Sequence, residues 1–242
     1  MPALSLLVPC LNEADGLPRF VERTWTALDG CSPFGAAEWE IILIDDGSRD
    51  ASWERIAELR GRFPGLRAIR HERTAGIPGG WRSGLAQAAG DAICVIDADL
   101  QYAPEEIPRL WRALRAGTAD IVQGVRATHA RPRNSRYVLS RGLCAVLNLL
   151  FGMSSRDNKS GFFLCRREVL RDLLTFQGRY RHWQCFVMVA AHHRGYRIHG
   201  LETPFRARHA GRSAFGTFAF GPALGVALDL VTALREYPRV RR

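Results

Sequence analysis

A chain of 242 residues, 47% hydrophobic and 24% charged, is long enough for one large α/β domain or two small ones and too apolar to be disordered over most of its length. Its 34 Lys+Arg against 24 Asp+Glu give a formal charge of +10, which calls for an anionic partner: phosphates, nucleic acid or an acidic membrane surface. None of Cys10, Cys31, Cys94, Cys144, Cys165 and Cys185 forms a CxxC pair, and Cys10, Cys94 and Cys165, which lie in apolar strand-like runs, read as reduced core residues of a protein in a reducing cytosol.

The opening "MPALSLLVPCLNE" has neither the basic start nor the apolar length of a secretory signal. "LSLLVPCL" (4–11) reads as a buried strand by its continuous apolar run, with Asn12 or Asp15 placed to cap a helix carrying Leu17, Phe20, Val21 and Leu28. "EIILIDDGS" (40–48) is a second buried strand, followed by a helix from Ala51 to Phe63. "LRAIRH" (66–71) is a third strand. "GIPGGWRSGLAQAAG" (76–90) reads as a Gly-rich turn leading into a small-residue helix. "AICVIDAD" (92–99) is the fourth strand, Pro104 opens the next helix, and "DIVQGVRA" (120–127) is the fifth strand.

Such β-α alternation with apolar strands predicts a mostly parallel sheet covered by helices on both faces. Ligands of such sheets sit beyond the carboxyl ends of the strands. Pro9, Asp45, Asp46, Asp97 and Asp99 all fall at those ends. After residue 127 the chain turns basic ("HARPRNSR"), with Asn134 or Ser135 as the cap of an apolar helix, "YVLSRGLCAVLNLLFG". Then follow a strand running into a helix ("SGFFLCRREVL"), another helix ("HWQCFVMVAAHHRG") and a strand ("YRIHGLETPFRARH"). This half is expected to extend the same sheet and wall the crevice.

Two carboxylates in D-x-D at a strand end suit a hard divalent cation. Asp97, Asp99 and, beyond them, Gln101 offer the oxygen ligands that Mg²⁺ or Mn²⁺ prefers. "GIPGGWRSG" matches neither a P-loop nor a dinucleotide fingerprint.

"SLLVPCLNEADGL", "IILIDDGSRDAS", "GWRSGLAQAAGD", "VIDADLQYAPEEIPRL" and "DIVQGVR" resemble the successive motifs of family 2 glycosyltransferases with the GT-A fold. With "SGFFLCRREVL" and "RGYRIHGLETPFRARHAGRS" they resemble most the polyprenyl-phosphate sugar synthases, of the dolichyl-phosphate-mannose-synthase type. The resemblance runs over residues 4–214. It implies an inverting enzyme that moves a sugar from a nucleotide-sugar donor (UDP- or GDP-linked) to a polyprenyl phosphate. By the same resemblance, Pro9, Asn12, Glu13, Asp45, Asp46 and Asp97 receive the donor, and Asp97, Asp99 and Gln101 hold the metal. The acceptor phosphate falls to Arg126, Arg136, Arg208 and Arg212, with Asp97, Asp99, Arg126 and Arg208 as the catalytic set. Where the family often has Ser-Lys this chain has Ser213-Ala214, and Arg212 is the residue placed to compensate.

A further departure concerns the base. Many family 2 enzymes that act on hydroxyls have an Asp shortly before the "GYRI"-like strand. Here Gln184 stands near that place, and no carboxylate occurs between Asp172 and Glu202. A hydroxyl must lose a proton as it attacks, whereas a phosphate is already ionised, so the gap favours a phosphate nucleophile. His182, His192 and His193 read first as a solvated helix face, and as substitute bases for a hydroxyl acceptor second.

"FGTFAFGPALGVALDLVTAL" (215–234) is long enough to span a bilayer, but Gly221-Pro222 breaks it and Asp229 would cost roughly 2.5–3.5 kcal/mol at the centre. It reads instead as a loop plus an amphipathic helix lying in the membrane interface, with a plain core helix as the alternative. The expected organisation is a catalytic domain (1–214) plus this interfacial segment (215–242). The protein would be cytoplasmic and peripheral at the inner membrane face, with its oligomeric state open. A soluble acceptor, a natural product or glycan hydroxyl, is the alternative. A nucleic-acid-binding protein is disfavoured, because aromatics do not interleave with the basic patch and the acidic pairs repel phosphate without a metal.

Overall fold

A computed structural model describes residues 3–29, 38–127, 135–206 and 220–238, with the side chains of 135–136 and 220–224 left aside. Seven strands form one sheet: β1 (Leu4–Cys10), β2 (Trp39–Asp45), β3 (Leu66–Arg70), β4 (Ala92–Val95), β5 (Ile121–Arg126), β6 (Phe163–Arg166) and β7 (Ile198–Thr203). The helices are α1 (Leu17–Leu28), α2 (Ser52–Arg62), α3 (Gly76–Gln87), α4 (Ile107–Arg115), α5 (Ser135–Phe151), α6 (Arg167–Leu173), α7 (Val187–His193) and α8 (Phe220–Glu236). Short 3-10 turns at Pro104–Glu106 and Trp183–Cys185 lead into α4 and α7.

The strand order is β3-β2-β1-β4-β6-β5-β7. All neighbours pair in parallel except β6, which runs antiparallel to both β4 and β5. The mostly parallel sheet is as expected. Both faces bury apolar side chains, one beneath α1, α2 and α4 (Phe20, Ile56, Leu110) and the other beneath α3 and α5 to α8 (Trp81, Leu147, Leu170, Phe186, Ala233). Two-sided burial explains why β1 and β2 are apolar runs rather than alternating strands.

Two local expectations give way. Neither Asn12 nor Asp15 caps α1, whose N-cap is Gly16 without a side-chain hydrogen bond. Asn12 instead takes a left-handed backbone (φ 56°) and links two turns. The glycine run is not a turn but the first two turns of α3. It is glycine because the helix lies against the sheet: a Cβ at Gly84 would sit 2.9 Å from Leu7 Cδ2 and 3.1 Å from Ile44 Cδ1.

α8 packs into the same core as the rest, through buried Ala233, Tyr237 and Asp229. Its carboxylates face inward. Asp229 accepts from the backbone N–H groups of Arg181 and His182, and Glu236 from those of Gln177 and Gly178 and from Tyr180 Oη. Leu228, Val231 and Leu234 face outward. The helix is amphipathic as expected, with its polar face turned into the protein.

Candidate active site

The acidic turn follows β4. Asp97 is half-buried and Asp99 is 7% exposed. Leu100 takes a left-handed backbone (φ 58°), which folds the chain back so that Gln101 N–H donates to Asp99 Oδ1 at 3.0 Å. An L-residue adopts that conformation only when its surroundings impose it. The imposing contacts lie next in sequence. Tyr102 is buried, its hydroxyl 2.8 Å from Ser160 Oγ and its ring against Phe162 and Phe205. Arg206 N–H donates to the Gln101 carbonyl, and Gln101 Nε2 donates to the Arg206 carbonyl at 3.3 Å. The Gln101 amide nitrogen is thus turned toward Arg206.

No group of three or more His, Cys, Asp and Glu converges as a metal centre among the described residues. Two carboxylates remain, Asp97 and Asp99. That donor set suits Mg²⁺ or Mn²⁺, which complete their shell with water and phosphate oxygens, and not a structural zinc.

The residues expected on the donor side gather at the ends of β1 and β2. Pro9 is half-buried and Asn12 exposed, while Glu13, Asp45 and Asp46 are buried. Asn12 N–H donates to Ser48 Oγ and Asn12 Oδ1 accepts from Arg49 N–H, which ties the two turns together. Asp45 Oδ1 accepts from Ser48 N–H at 3.0 Å, and Arg70 Nε stands 3.6 Å from Oδ2. Asp46 accepts from the N–H groups of Ala75 and Gly76 at the start of α3, and His71 bridges Asp46 Oδ1 (2.8 Å) and Ser83 Oγ (2.9 Å). Much of the carboxylate capacity of Asp46 therefore holds α3 against the sheet. His71 escaped the sequence reading because its partners are set by the pairing of β2 with β3.

Arg126, expected on the acceptor side, closes β5. Its Nε and Nη2 each lie 2.6 Å from the Asp157 carboxylate, and its guanidinium stacks over Phe205. Burial alone would raise the Asp157 carboxyl; the bidentate Arg126 and the N–H groups of Lys159 and Arg126 outweigh it, so the net displacement is downward. Asp157 was missed by the sequence reading; its one legible signal is a lone acid in "SSRDNKSG". The side chain of Arg136, and Arg208 and Arg212 entirely, lie outside the described residues.

Gln184 is half-buried in the turn before α7. The structure brings a carboxylate to His182 from far along the chain: Asp229 Oδ2 lies 3.5 Å from His182 Nδ1. Asp229 is 3% exposed and bound to two backbone N–H groups. Asp229 and Glu236 stand seven apart, two helical turns on one face, a spacing that marks an inward polar stripe. The five described cysteines are buried and unpaired, and burial pushes the Cys10, Cys94, Cys165 and Cys185 thiols up, so no thiolate nucleophile is favoured; Cys31 lies outside the described residues. A groove of about 370 Å³ runs elsewhere, along β5 and β7 beside Met153, Arg156 and His192, away from the acidic turn.

Residues 5–174 match the family model described as "Glycosyl transferase family 2". The dolichol-phosphate mannosyltransferase of Pyrococcus furiosus is 32% identical over 173 residues, covering 69% of this chain and 47% of that protein. The undecaprenyl-phosphate 4-deoxy-4-formamido-L-arabinose transferase of Pectobacterium atrosepticum is 30% identical over 237 residues, 97% of this chain and 68% of that protein. This chain thus spans about half of the first relative and about two thirds of the second. Among solved structures, the mannosyltransferase PcManGT from Pyrobaculum calidifontis, in complex with GDP-Man and Mn²⁺, superposes with a TM-score of 0.71 at 18% identity, over 99% of this chain and 66% of that one. The glucosyl-3-phosphoglycerate synthase from Mycobacterium tuberculosis, in complex with Mn²⁺, UDP and phosphoglyceric acid, gives 0.70 at 20% identity, over 99% and 80%. At such identities the two structures speak for the fold.

Proposed function

The chain belongs to glycosyl transferase family 2, and from that premise we propose that it is a metal-dependent, inverting transferase that moves a sugar from a nucleotide-sugar donor to a polyprenyl phosphate. The observation that carries the reading is the acidic turn: Asp97 and Asp99 stand at the carboxyl end of a central strand, beside the turns of β1 and β2. Pro9, Asn12, Glu13, Asp45 and Asp46 would form the donor side, with Asp46 and His71 fixing the start of α3 beneath it. Asp97 and Asp99, with Gln101 Oε1, would hold Mg²⁺ or Mn²⁺. A bound cation there supplies Lewis-acid stabilisation of the departing nucleoside diphosphate. The names of two relatives support a polyprenyl-phosphate acceptor, and the Mn²⁺ complexes of the two structural neighbours support a divalent cation.

A phosphate nucleophile needs no base, and the sequence places no carboxylate on α7 or the turn before it. Gln184→Ala should therefore lower the rate by far less than the roughly 10²–10⁴-fold that loss of a general base costs. Initial rates with a lipid phosphate check this; a loss of that size in a folded variant contradicts it. One observation favours the hydroxyl alternative. His182 with Asp229 3.5 Å from its Nδ1 has the make-up of a base and its orienting carboxylate. His182→Gln separates the readings: on the phosphate reading it spares most activity, and on the hydroxyl reading it removes it.

The membrane part of the proposal rests on exposed apolar side chains. Leu228, Val231 and Leu234 on α8, and Val138, Leu139, Val146 and Leu149 on α5, face outward near Arg235 and Arg141. No helix among the described residues is long and apolar enough to cross a membrane. Interfacial binding adds apolar area to attraction for anionic lipid. Cutting off α8 would also strip Asp229 and Glu236 from the 177–182 loop, so the clean test alters only its outer face. Leu228→Gln/Val231→Gln/Leu234→Gln should cut co-sedimentation with anionic vesicles while leaving nucleoside-diphosphate binding unchanged. Added salt should weaken vesicle binding of the parent protein, because surface charges are screened over about 10 Å at 0.1 M. A parent protein that stays in the supernatant at low salt overturns the peripheral-membrane reading.

A further inference from the structure

We propose that Lys159 is the cation that receives the acceptor's phosphomonoester, a role that rests on the transferase reading above. Lys159 is the only lysine in the chain; every other residue of the 34 Lys+Arg is arginine. It stands in the loop that enters β6. Because β6 runs antiparallel between β4 and β5, that loop arrives at the edge where β4 and β5 end, beside Asp97 and Arg126.

The loop is firmly rooted. Asp157, Asn158 and Ser160 are buried on either side of Lys159. Lys159 N–H donates to Asp157 Oδ1 at 3.1 Å, and Ser160 Oγ donates to the Gly124 carbonyl. Gly161 passes so close to the acidic turn that a Cβ there would lie 3.1 Å from Asp97 Oδ2. Lys159 is exposed, and among the described residues its ammonium has no hydrogen bond or ion pair. A fixed backbone thus carries an uncommitted charge to the rim of the crevice. That charge is also felt at Cys185 in the turn before α7. The Cys185 thiol is raised chiefly by burial, and Lys159 and Arg126 both act to lower it.

The neighbouring cation is less available. Arg126 has Nε and Nη2 committed to Asp157, so an arriving phosphate must compete with a carboxylate for them. A lysine ammonium is a compact charge with three rotatable donors on a flexible stem, and it can follow a phosphate oxygen as that oxygen approaches the sugar carbon. Lys159 forms no bond and moves no proton. The phosphate oxygen bonds to the anomeric carbon as the bond from that carbon to the nucleoside diphosphate breaks, and the electron pair leaves with the diphosphate.

A single lysine permits a direct test on the full chain. Reductive ¹³C-methylation gives one ε-dimethylamine resonance, assigned by its absence in Lys159→Arg. The expected result is a shift of that resonance on adding farnesyl phosphate and none on adding farnesol. A matching response to glycerol 3-phosphate would extend the site to soluble phosphomonoesters, and its absence would assign the site to the lipid-borne one. In initial-rate assays Lys159→Ala should raise the acceptor KM at least about tenfold, as expected for loss of a charge-assisted contact, with Lys159→Arg restoring most of it. Binding of nucleoside diphosphate with Mn²⁺ should stay within about twofold in both variants, since neither touches the donor side. If the nucleoside diphosphate binds but the resonance ignores both phosphates, or the Lys159→Ala KM is unchanged, the assignment of Lys159 is wrong. If the parent protein binds no nucleoside diphosphate with Mn²⁺, the transferase reading falls, and this proposal with it.

Discussion

Asp99→Asn is expected to lower sugar transfer by about 10²–10³-fold or more while the protein still folds and melts close to the parent temperature. The two halves of this expectation have separate causes. Asp99 Oδ1 accepts the Gln101 N–H that closes the left-handed turn at Leu100, and an asparagine oxygen can accept the same bond. Tyr102, Phe205 and Ser160 hold the turn from outside it. What asparagine removes is one of only two carboxylates at the strand end, and with it the charge that would hold a divalent cation against a diphosphate. EDTA added to the parent protein should reproduce the loss, and adding EDTA to the variant should change little further. Equal rates for parent protein in EDTA and in Mn²⁺ would contradict the expectation.

Asp157→Ala should give the largest loss of stability, about 3–5 kcal/mol, because it leaves the mostly buried Arg126 guanidinium, 12% exposed, without its carboxylate. Asp157→Asn removes the charge but keeps the shape, and its pH dependence is diagnostic. The Asp157 carboxyl is held below its ordinary value in the folded protein. Its stabilising contribution is therefore fully present above the unfolded value of about 3.9 and is lost as pH falls through the lower folded value. Thermal melts from neutral to acid pH should fall more steeply below about pH 4 for the parent than for Asp157→Asn. A melting temperature unmoved by Asp157→Ala would mean that Arg126 is solvated after all and free for the acceptor phosphate.

The strands were legible because β1, β2 and β4 are buried on both faces, which leaves a continuous apolar run that a sequence displays openly. The reversal at β6 was not, since "FFLC" reads alike in either direction and only its pairing with Val95 and Gln123 fixes its sense. Asn12 has the right chemistry for a cap, but Ser48 and Arg49, more than thirty residues away, claim it first. In α8 the apolar count drew attention to the outer face, while the function of Asp229 depends on backbone N–H groups of residues 181 and 182. The same contrast divides the site. The acidic turn is contiguous, so Asp97 and Asp99 stand out in the sequence. The proposed acceptor side draws on Arg126, Asp157 and Lys159, which stand apart in the sequence and which the antiparallel entry of β6 brings to the end of β5.

The most direct measurement is calorimetric titration of UDP and of GDP into the full chain with Mn²⁺, with EDTA, and into Asp97→Asn with Mn²⁺. At least one of the two nucleotides should bind the parent protein with Mn²⁺. Its affinity should fall at least about tenfold both in EDTA and in the variant, as expected when a charge-bridging contact is lost. Binding of the same strength in all three conditions, or no binding of either nucleotide in Mn²⁺, would contradict a metal-dependent nucleotide-sugar site at Asp97 and Asp99.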